Sequence, residues 1–339
     1  MNREPVRFGL IGAGGIAQAY VQAFESGGVG QLVGVADTRP EAARALAEPL
    51  HCASFASHLA MLDDGSPLDA VIVCTPPNTH DKIVMDAVER GIHVLCEKPF
   101  TLTSGSARNL AAAADTAGVK LTMASKFRYT DDVIRAKSIV TSGILGEIIL
   151  LENAFTSRVD MSNRWNSDPA ISGGGVLIDN GAHSLDLMRY FLGPLAEVQA
   201  IEGKRVQPLS VEDTVRLFVR SAGGVMGSVD LSWSINKELD SFLSIYGSHG
   251  TVYVGWKESR YRQNSSRDWI VFGKGYNKVQ AFRGELANFG AAVRGEESLL
   301  IRAEDAVASV ESIEAAYRSM KQSLWTPING HSKTREDPR

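Results

Sequence analysis

Cysteine is scarce: the chain of 339 residues carries three, at positions 52, 74 and 96. An odd number without short paired spacings excludes a disulfide framework and a cysteine zinc site, and Cys74 and Cys96 fall in apolar strand-like segments that suit buried, reduced thiols. Charge imbalance is missing too, with 35 Lys plus Arg against 39 Asp plus Glu. Neither a polyanion-binding face nor an acidic tail is implied, so nucleic acid is not an expected partner. No apolar run approaches the ~18 residues of a membrane span. The charged start, Met1 to Arg7, leads straight into an apolar strand instead of a signal sequence. A cytoplasmic protein without a membrane partner is the expectation. No internal repeat is visible, and no third His, Cys or acidic ligand joins the pairs that exist, so no metal site is expected.

What is present is a chain long enough for about two domains, with 44% hydrophobic residues. Up to about residue 125 strands alternate with helices: Val6 to Ile11, Leu32 to Ala36, Ala70 to Thr75, His93 to Cys96 and Lys120 to Ala124 read as strands, separated by helical stretches that include Glu41 to Leu50 and Ser104 to Ala117. Asn78 is placed to cap the helix running to Arg90. Alternation of this kind predicts a doubly wound parallel sheet over residues 1–125. Beyond it come longer strands (Glu147 to Ser157, Val198 to Gly203, Thr214 to Arg220, Val225 to Ser232, Phe242 to Tyr246), with helices at Asp131 to Ser142, Glu285 to Val293 and Ala303 to Met320. These predict a second, α+β domain over 126–330 built on a large open mixed or antiparallel sheet. A disordered tail is expected over 331–339.

The first strand ends in Gly12-Ala13-Gly14-Gly15-Ile16-Ala17, and a helical pattern follows. This is the strand, turn and helix context of a dinucleotide fingerprint: Gly12 permits the tight turn, Gly14 lets the backbone approach a pyrophosphate on the helix N-terminus, and Ala17 replaces the third glycine in a purely packing role. Gly12, Gly14, Gly15 and Ile16 are therefore candidate phosphate contacts. Asp37, at the end of the second strand, stands where a carboxylate accepts from the ribose hydroxyls, and it would repel a 2′-phosphate, which argues for NAD. Arg39 leaves NADP open, since a guanidinium there could bind that phosphate.

Two further pieces carry chemistry. Glu97-Lys98-Pro99 falls at the carboxyl end of a parallel strand, the edge where such sheets bind ligands. In the second domain Gly173-Gly174-Gly175 leads into a helix from Val176 to Leu192 that ends at Gly193-Pro194. Ile178, Leu185 and Leu192 should form its buried stripe, while Asp179, His183 and Asp186 recur on another face. That face is either an ordinary solvated surface or an acid/base site; three glycines able to approach a ligand favour the second.

In combination, the glycine turn, Thr75-Pro76-Pro77-Asn78-Thr79-His80, Glu97-Lys98-Pro99, Phe127-Arg128-Tyr129 and Asp179-x-Gly-x-His183-x-x-Asp186 resemble the glucose–fructose oxidoreductase, inositol dehydrogenase and rhizopine-catabolism (Gfo/Idh/MocA) family over roughly residues 5 to 328. The resemblance implies an N-terminal Rossmann domain and a C-terminal open sheet that supports homodimers or homotetramers. It also implies oxidation or reduction at a carbon of a sugar, cyclitol or related polyol. Lys98, Asp179 and His183 become the implied catalytic set, and Thr75, Pro76, Asn78 and His80, with Glu97, line the cofactor. Thr130-Asp131 departs from the small or proline residues common after Phe-Arg-Tyr, which leaves the substrate rim open.

Oxidising a carbinol also removes the hydroxyl proton. His183 is the expected base, Asp179 one turn earlier its orienting partner, and Lys98 an ammonium beside the developing alkoxide. Lys126, Arg128, Arg164 and Trp165 are expected at the substrate, as hydroxyl or anion contacts and a face for sugar C–H groups. Two other readings stay open: an NAD-dependent redox-neutral glycosidase, and a non-catalytic NAD-binding regulatory protein.

Overall fold

A computed structural model describes residues 4–328; the tail expected to be disordered, 331–339, lies outside the described residues. The chain begins β1 (Arg7–Ile11), α1 (Ala17–Glu25), β2 (Gln31–Ala36), α2 (Pro40–Ala47), β3 (Ala53–Phe55), α3 (His58–Leu62), β4 (Ala70–Val73), α4 (His80–Val88), β5 (His93–Glu97), α5 (Ser104–Ala117) and β6 (Leu121–Ala124). It continues through α6 (Asp131–Thr141), β7 (Ile148–Thr156), α7 (Pro169–Ser172), α8 (Val176–Leu192), β8 (Leu195–Glu202), β9 (Thr214–Ser221), β10 (Met226–Ser232), β11 (Ser241–Gly247), β12 (Gly250–Gly255), β13 (Ser259–Gln263) and β14 (Ile270–Gly273). It closes with α9 (Lys278–Val293), α10 (Ala303–Gln322) and the short β15 (Thr326–Pro327).

The first six strands form one parallel sheet in the order β3-β2-β1-β4-β5-β6. This is the Rossmann arrangement, whose order reverses between β1 and β4 and so opens a ligand crevice at their carboxyl ends. Alternate residues feed two cores. Leu10, Ile72 and Leu95 join one with Tyr20 and Phe24 of α1, whereas Val71, Val73, Val94 and Cys96 join the other with helices α4 and α5. β4 and β6 are buried at every position, as strands covered on both faces require.

The remaining strands form a nine-stranded sheet, β14-β13-β12-β11-β7-β10-β9-β8-β15, in which β7 and β10 run parallel and the other neighbours antiparallel. α8 lies against β7, β8, β9 and β10, and Leu177, Leu185, Leu187 and Met188 of α8 are wholly buried.

Compact units do not follow the expected boundary at 125/126. One unit runs to Thr130 and regains Asn277–Val310; the other is Asp131–Tyr276 with the chain from Glu311 on. The reason is packing. Phe282, Leu286 and Phe289 of α9 are fully buried in the core that holds α1 and β1. At about 1.5–3 kcal/mol per large apolar side chain, an upper estimate, these three alone tie α9 to the first unit by roughly 5–9 kcal/mol.

Among the described residues no helix is long and apolar enough to cross a membrane, and no group of three or more His, Cys, Asp or Glu is placed to hold a metal ion. All three cysteines are free thiols, two of them buried.

Candidate active site

The glycine turn is built as its residue types require. Gly12 has φ +98°, and a Cβ there would sit 2.8 Å from the Cys74 backbone. Gly14 and Gly15 are different: a Cβ at either would meet no protein atom within 4 Å. The space they leave is open to a ligand, and α1 starts behind them with no side-chain cap on its first-turn amides and no acidic residue in that turn. An uncapped N-terminus above a glycine cradle fits a pyrophosphate.

Asp37 closes the turn from the adjacent strand. Its Oδ2 accepts from the Ala13 amide at 2.7 Å and its Oδ1 from the Arg39 amide at 2.8 Å, with the Arg39 guanidinium at 3.3 Å. Burial pushes the carboxyl up, but the two amides and Arg39 outweigh it and hold Asp37 below the usual carboxylate range. It stays ionised and able to accept from hydroxyls. Arg39 itself is exposed.

Between β4 and α4 the chain turns through Thr75 and Pro76. The expected cap, Asn78, lies instead in a short 3-10 turn and is exposed, while Thr79, the residue just before α4, gives the helix no side-chain cap and makes its hydrogen bonds to Thr75 Oγ1 and Pro76 O, each 2.7 Å. His80 is fully buried; Nε2 contacts the Thr75 carbonyl at 2.9 Å and Nδ1 the Pro99 and Phe100 carbonyls at 3.1 and 3.2 Å. Burial lowers its pKa against the pull of these carbonyls. His80 thus ties the Thr75 segment to the carbonyls of Pro99 and Phe100, which follow the cis Lys98–Pro99 bond.

Glu97 ends β5 and Lys98 follows it, its amide donating to Glu97 Oε2 at 3.1 Å. Behind them lies a group with no local signal in the sequence. The Tyr20 hydroxyl on α1 is 3.0 Å from Glu97 Oε1 and 3.1 Å from Glu285 Oε2, partners 77 and 265 residues away along the chain. Lys126 completes the cluster, its Nζ over the rings of Phe127 and Phe282 at 5.5 and 5.7 Å. Burial lowers the Lys126 ammonium to about 8, opposed by Glu97 and helped by Lys98. Arg128, expected as a substrate cation, is buried and faces Asp305 at 3.8 Å.

In the second unit Asp179 and His183 sit one turn apart on α8. Their surroundings differ from the expected two-faced helix: nearly every side of α8 is buried, His183 is 7% exposed and Asp186 wholly enclosed, and Leu192 is only half-buried. The His183 ring meets Phe155 edge-on, with centroids 6.5 Å apart. Ser184, next along, donates to Asn153 Oδ1 at 2.5 Å, and Asn153 donates to the Phe242 carbonyl at 2.8 Å, fixing α8 to the sheet.

The triple glycine serves the protein before any ligand. Gly173, at φ +79°, ends α7. A Cβ on Gly174 would clash with the Tyr317 hydroxyl, and one on Gly175 with the Glu212 carbonyl oxygen. That close approach lets Glu212 cap α8: its Oε1 accepts from the Gly175 amide at 2.9 Å, the Leu177 amide at 3.1 Å and the Tyr317 hydroxyl at 2.8 Å, while its carbonyl accepts from the Val176 amide at 2.9 Å. Neither Glu212 nor Tyr317 was legible as a site residue. Arg164 and Trp165 lie in the segment before α7, both exposed.

Known proteins share this construction. Residues 6–125 match the oxidoreductase family with an NAD-binding Rossmann fold, and 133–253 match the GFO/IDH/MocA C-terminal domain. Inositol 2-dehydrogenase of Rhizobium meliloti is 24% identical over 337 residues, covering 94% of this chain and 97% of its own. D-glucoside 3-dehydrogenase of Escherichia coli is 32% identical over 222 residues, 64% of this chain and 62% of its own. A solved levoglucosan dehydrogenase, complexed with NADH and levoglucosan, has the same fold at TM-score 0.88 and 21% identity, covering 96% of this chain and 99% of that one. The chain is a member of the Gfo/Idh/MocA family of NAD(P)-binding oxidoreductases.

Proposed function

We propose that the protein is an NAD-dependent dehydrogenase that oxidises a CH–OH group of a sugar, cyclitol or sugar derivative, with Lys98, Asp179 and His183 as its acid/base set. The observation that carries this reading is the delivery of Lys98, directly after Glu97, to the carboxyl edge of β5 in a Rossmann sheet whose glycine turn leaves room for a dinucleotide. Relatives named as dehydrogenases of inositol and of glucosides support the substrate class.

NAD is favoured over NADP because Asp37 is held ionised at the end of β2, where it accepts from ribose hydroxyls and repels a phosphate. Gly12, Gly14, Gly15 and Ile16 take the pyrophosphate; Arg39, Thr75, Pro76, Asn78, His80 and Glu97 complete the lining, His80 acting through the Thr75 carbonyl it fixes. Bound nicotinamide supplies the hydride acceptor. The protein's part is proton and charge. His183 takes the hydroxyl proton, Asp179 orients the imidazole or a neighbouring hydroxyl, and the Lys98 ammonium favours the alkoxide as it forms.

Lys126, Arg164 and Trp165 are the proposed substrate contacts, with Arg128 a buried support beside Asp305. Residues of the second unit form the substrate domain, and the outer face of its sheet, where Ile201 and Met226 stay exposed, joins copies into a homodimer or homotetramer. The test is absorbance of NADH with purified protein, NAD or NADP, and a panel of inositols, aldoses, anhydrosugars, uronic acids and nucleotide sugars. NADH formation that is lost in Lys98→Ala supports the reading. NAD binding with no net NADH across the panel overturns it, and release of an aglycone without NADH identifies a glycosidase.

A further inference from the structure

Tyr20, Glu97 and Glu285 are 0%, 8% and 0% exposed, and the phenol oxygen lies within hydrogen-bond distance of one carboxyl oxygen from each glutamate. A phenol has one proton to donate and lone pairs to accept with. If it donates to one carboxyl, the other short contact is favourable only when that second carboxyl carries a proton and donates back. Two ionised glutamates sharing one hydroxyl proton in a dry core would leave an oxygen–oxygen contact uncompensated. The cluster therefore holds one carboxylate and one carboxylic acid.

Which is which follows from the other neighbours. Glu97 Oε2 accepts the Lys98 amide at 3.1 Å, and the positive charges of Lys98 and Lys126 both bear on it. Glu285 is less well supported: the Ser125 amide and Lys126 favour its charge, but the Glu97 carboxylate opposes it, and its Oε1 is buried without a hydrogen-bond partner. The remaining titratable groups do not alter the assignment. Cys74 is a buried thiol held neutral, chiefly by burial, and Lys278 acts on Lys126 by repulsion.

We propose that Glu285 is a proton-carrying positioning residue: it donates to Tyr20, Tyr20 donates to Glu97, and this chain fixes the cluster's single negative charge on Glu97, beside the Lys98 amide and the Lys126 ammonium. The direction of both acids agrees: burial raises each, and Glu285, with the Glu97 charge adding to the effect, ends the higher. The charge on Glu97 keeps Lys126 protonated to about 8 despite its burial. The inference rests on the proposed role of Lys98 for its catalytic meaning, but not for the protonation pattern.

The first test needs no activity. An infrared difference spectrum between the wild-type protein and Glu285→Gln at neutral pH shows a protonated carboxyl stretch if Glu285 carries the proton; a carboxylate signature in its place overturns the proposal. The second follows the Lys126 side chain by NMR of lysine-labelled protein together with the pH profile of turnover. Glu285→Gln keeps a donor to Tyr20, so the Lys126 midpoint stays at about 8 and turnover stays within about threefold. Tyr20→Phe removes the donor to Glu97 and weakens its hold on the negative charge, so the Lys126 midpoint falls below its wild-type value. A Glu285→Gln protein that moves Lys126 as far as Tyr20→Phe does overturns the chain. Retained turnover in Lys98→Ala sinks the dehydrogenase reading alone and leaves the infrared result standing.

Discussion

Replacing Glu212 with alanine tests whether a residue outside the proposed chemistry holds the helix that carries Asp179 and His183. One carboxylate oxygen accepts from the Gly175 and Leu177 amides and from Tyr317, all in a buried setting. Truncation orphans two backbone donors and one hydroxyl. At about 1–3 kcal/mol for each buried group left without a partner, and with partial rescue by water, the loss should be roughly 3–5 kcal/mol. All five tryptophans, at 165, 233, 256, 269 and 325, belong to the second unit. Tryptophan fluorescence during urea or thermal unfolding therefore reports that unit, and its midpoint should fall by roughly 6–20 °C. Glu212→Gln keeps an acceptor and should lose at most about 1–2 kcal/mol.

The pH dependence has a defined sign. Burial, the largest influence, raises the Glu212 carboxyl above its ordinary value despite the bonds it accepts. The folded state then binds that proton more tightly than the unfolded chain, so this contribution is complete below the ordinary carboxylate range and declines as pH climbs through the folded value. Glu212→Gln should abolish that slope. A Glu212→Ala protein within about 1 kcal/mol of wild type would refute the capping argument.

Gly14→Ala adds a methyl to open space, so thermal stability should hold while NAD affinity, read by protein fluorescence quenching, falls roughly tenfold or more; unchanged affinity would place the dinucleotide elsewhere. Gly175→Ala should do the reverse, because its Cβ meets the Glu212 carbonyl oxygen, and a loss of more than about 3 kcal/mol is expected by urea unfolding. Lys98→Ala should lower kcat on the order of 10²–10³-fold with NAD affinity within a few-fold, by stopped-flow or steady-state NADH absorbance. For an acidic sugar, KM should rise as pH passes through about 8, where Lys126 loses its charge, and a neutral polyol should show no such rise; equal behaviour of the two would remove Lys126 from the substrate site.

Where a short segment dictates its own structure, the sequence was sufficient. The β1 turn was legible because Gly12 needs a positive φ and Gly14 an open approach, both properties of the residue and its neighbours. α5 and α8 span the residues expected of them, Ser104–Ala117 and Val176–Leu192, the latter ending at Gly193. β12 to β14 were not legible. They are short, β12 is bounded by glycines, and β13 reads Ser-Arg-Tyr-Arg-Gln, with no apolar alternation to betray it.

The sequence by itself determined the Rossmann half, its glycine turn and the extent of the helix that carries Asp179 and His183, because strand alternation, glycine chemistry and helix end signals are encoded within a few turns of chain. Tertiary structure decided the rest. It returned α9 to the first unit, set Glu285 against Tyr20 and Glu97, and brought Glu212 to the head of α8. Periodicity tells a helix that it has an apolar face but not which core will receive it. A buried carboxyl finds its partner only once the core has closed around it, across separations of as many as 265 residues.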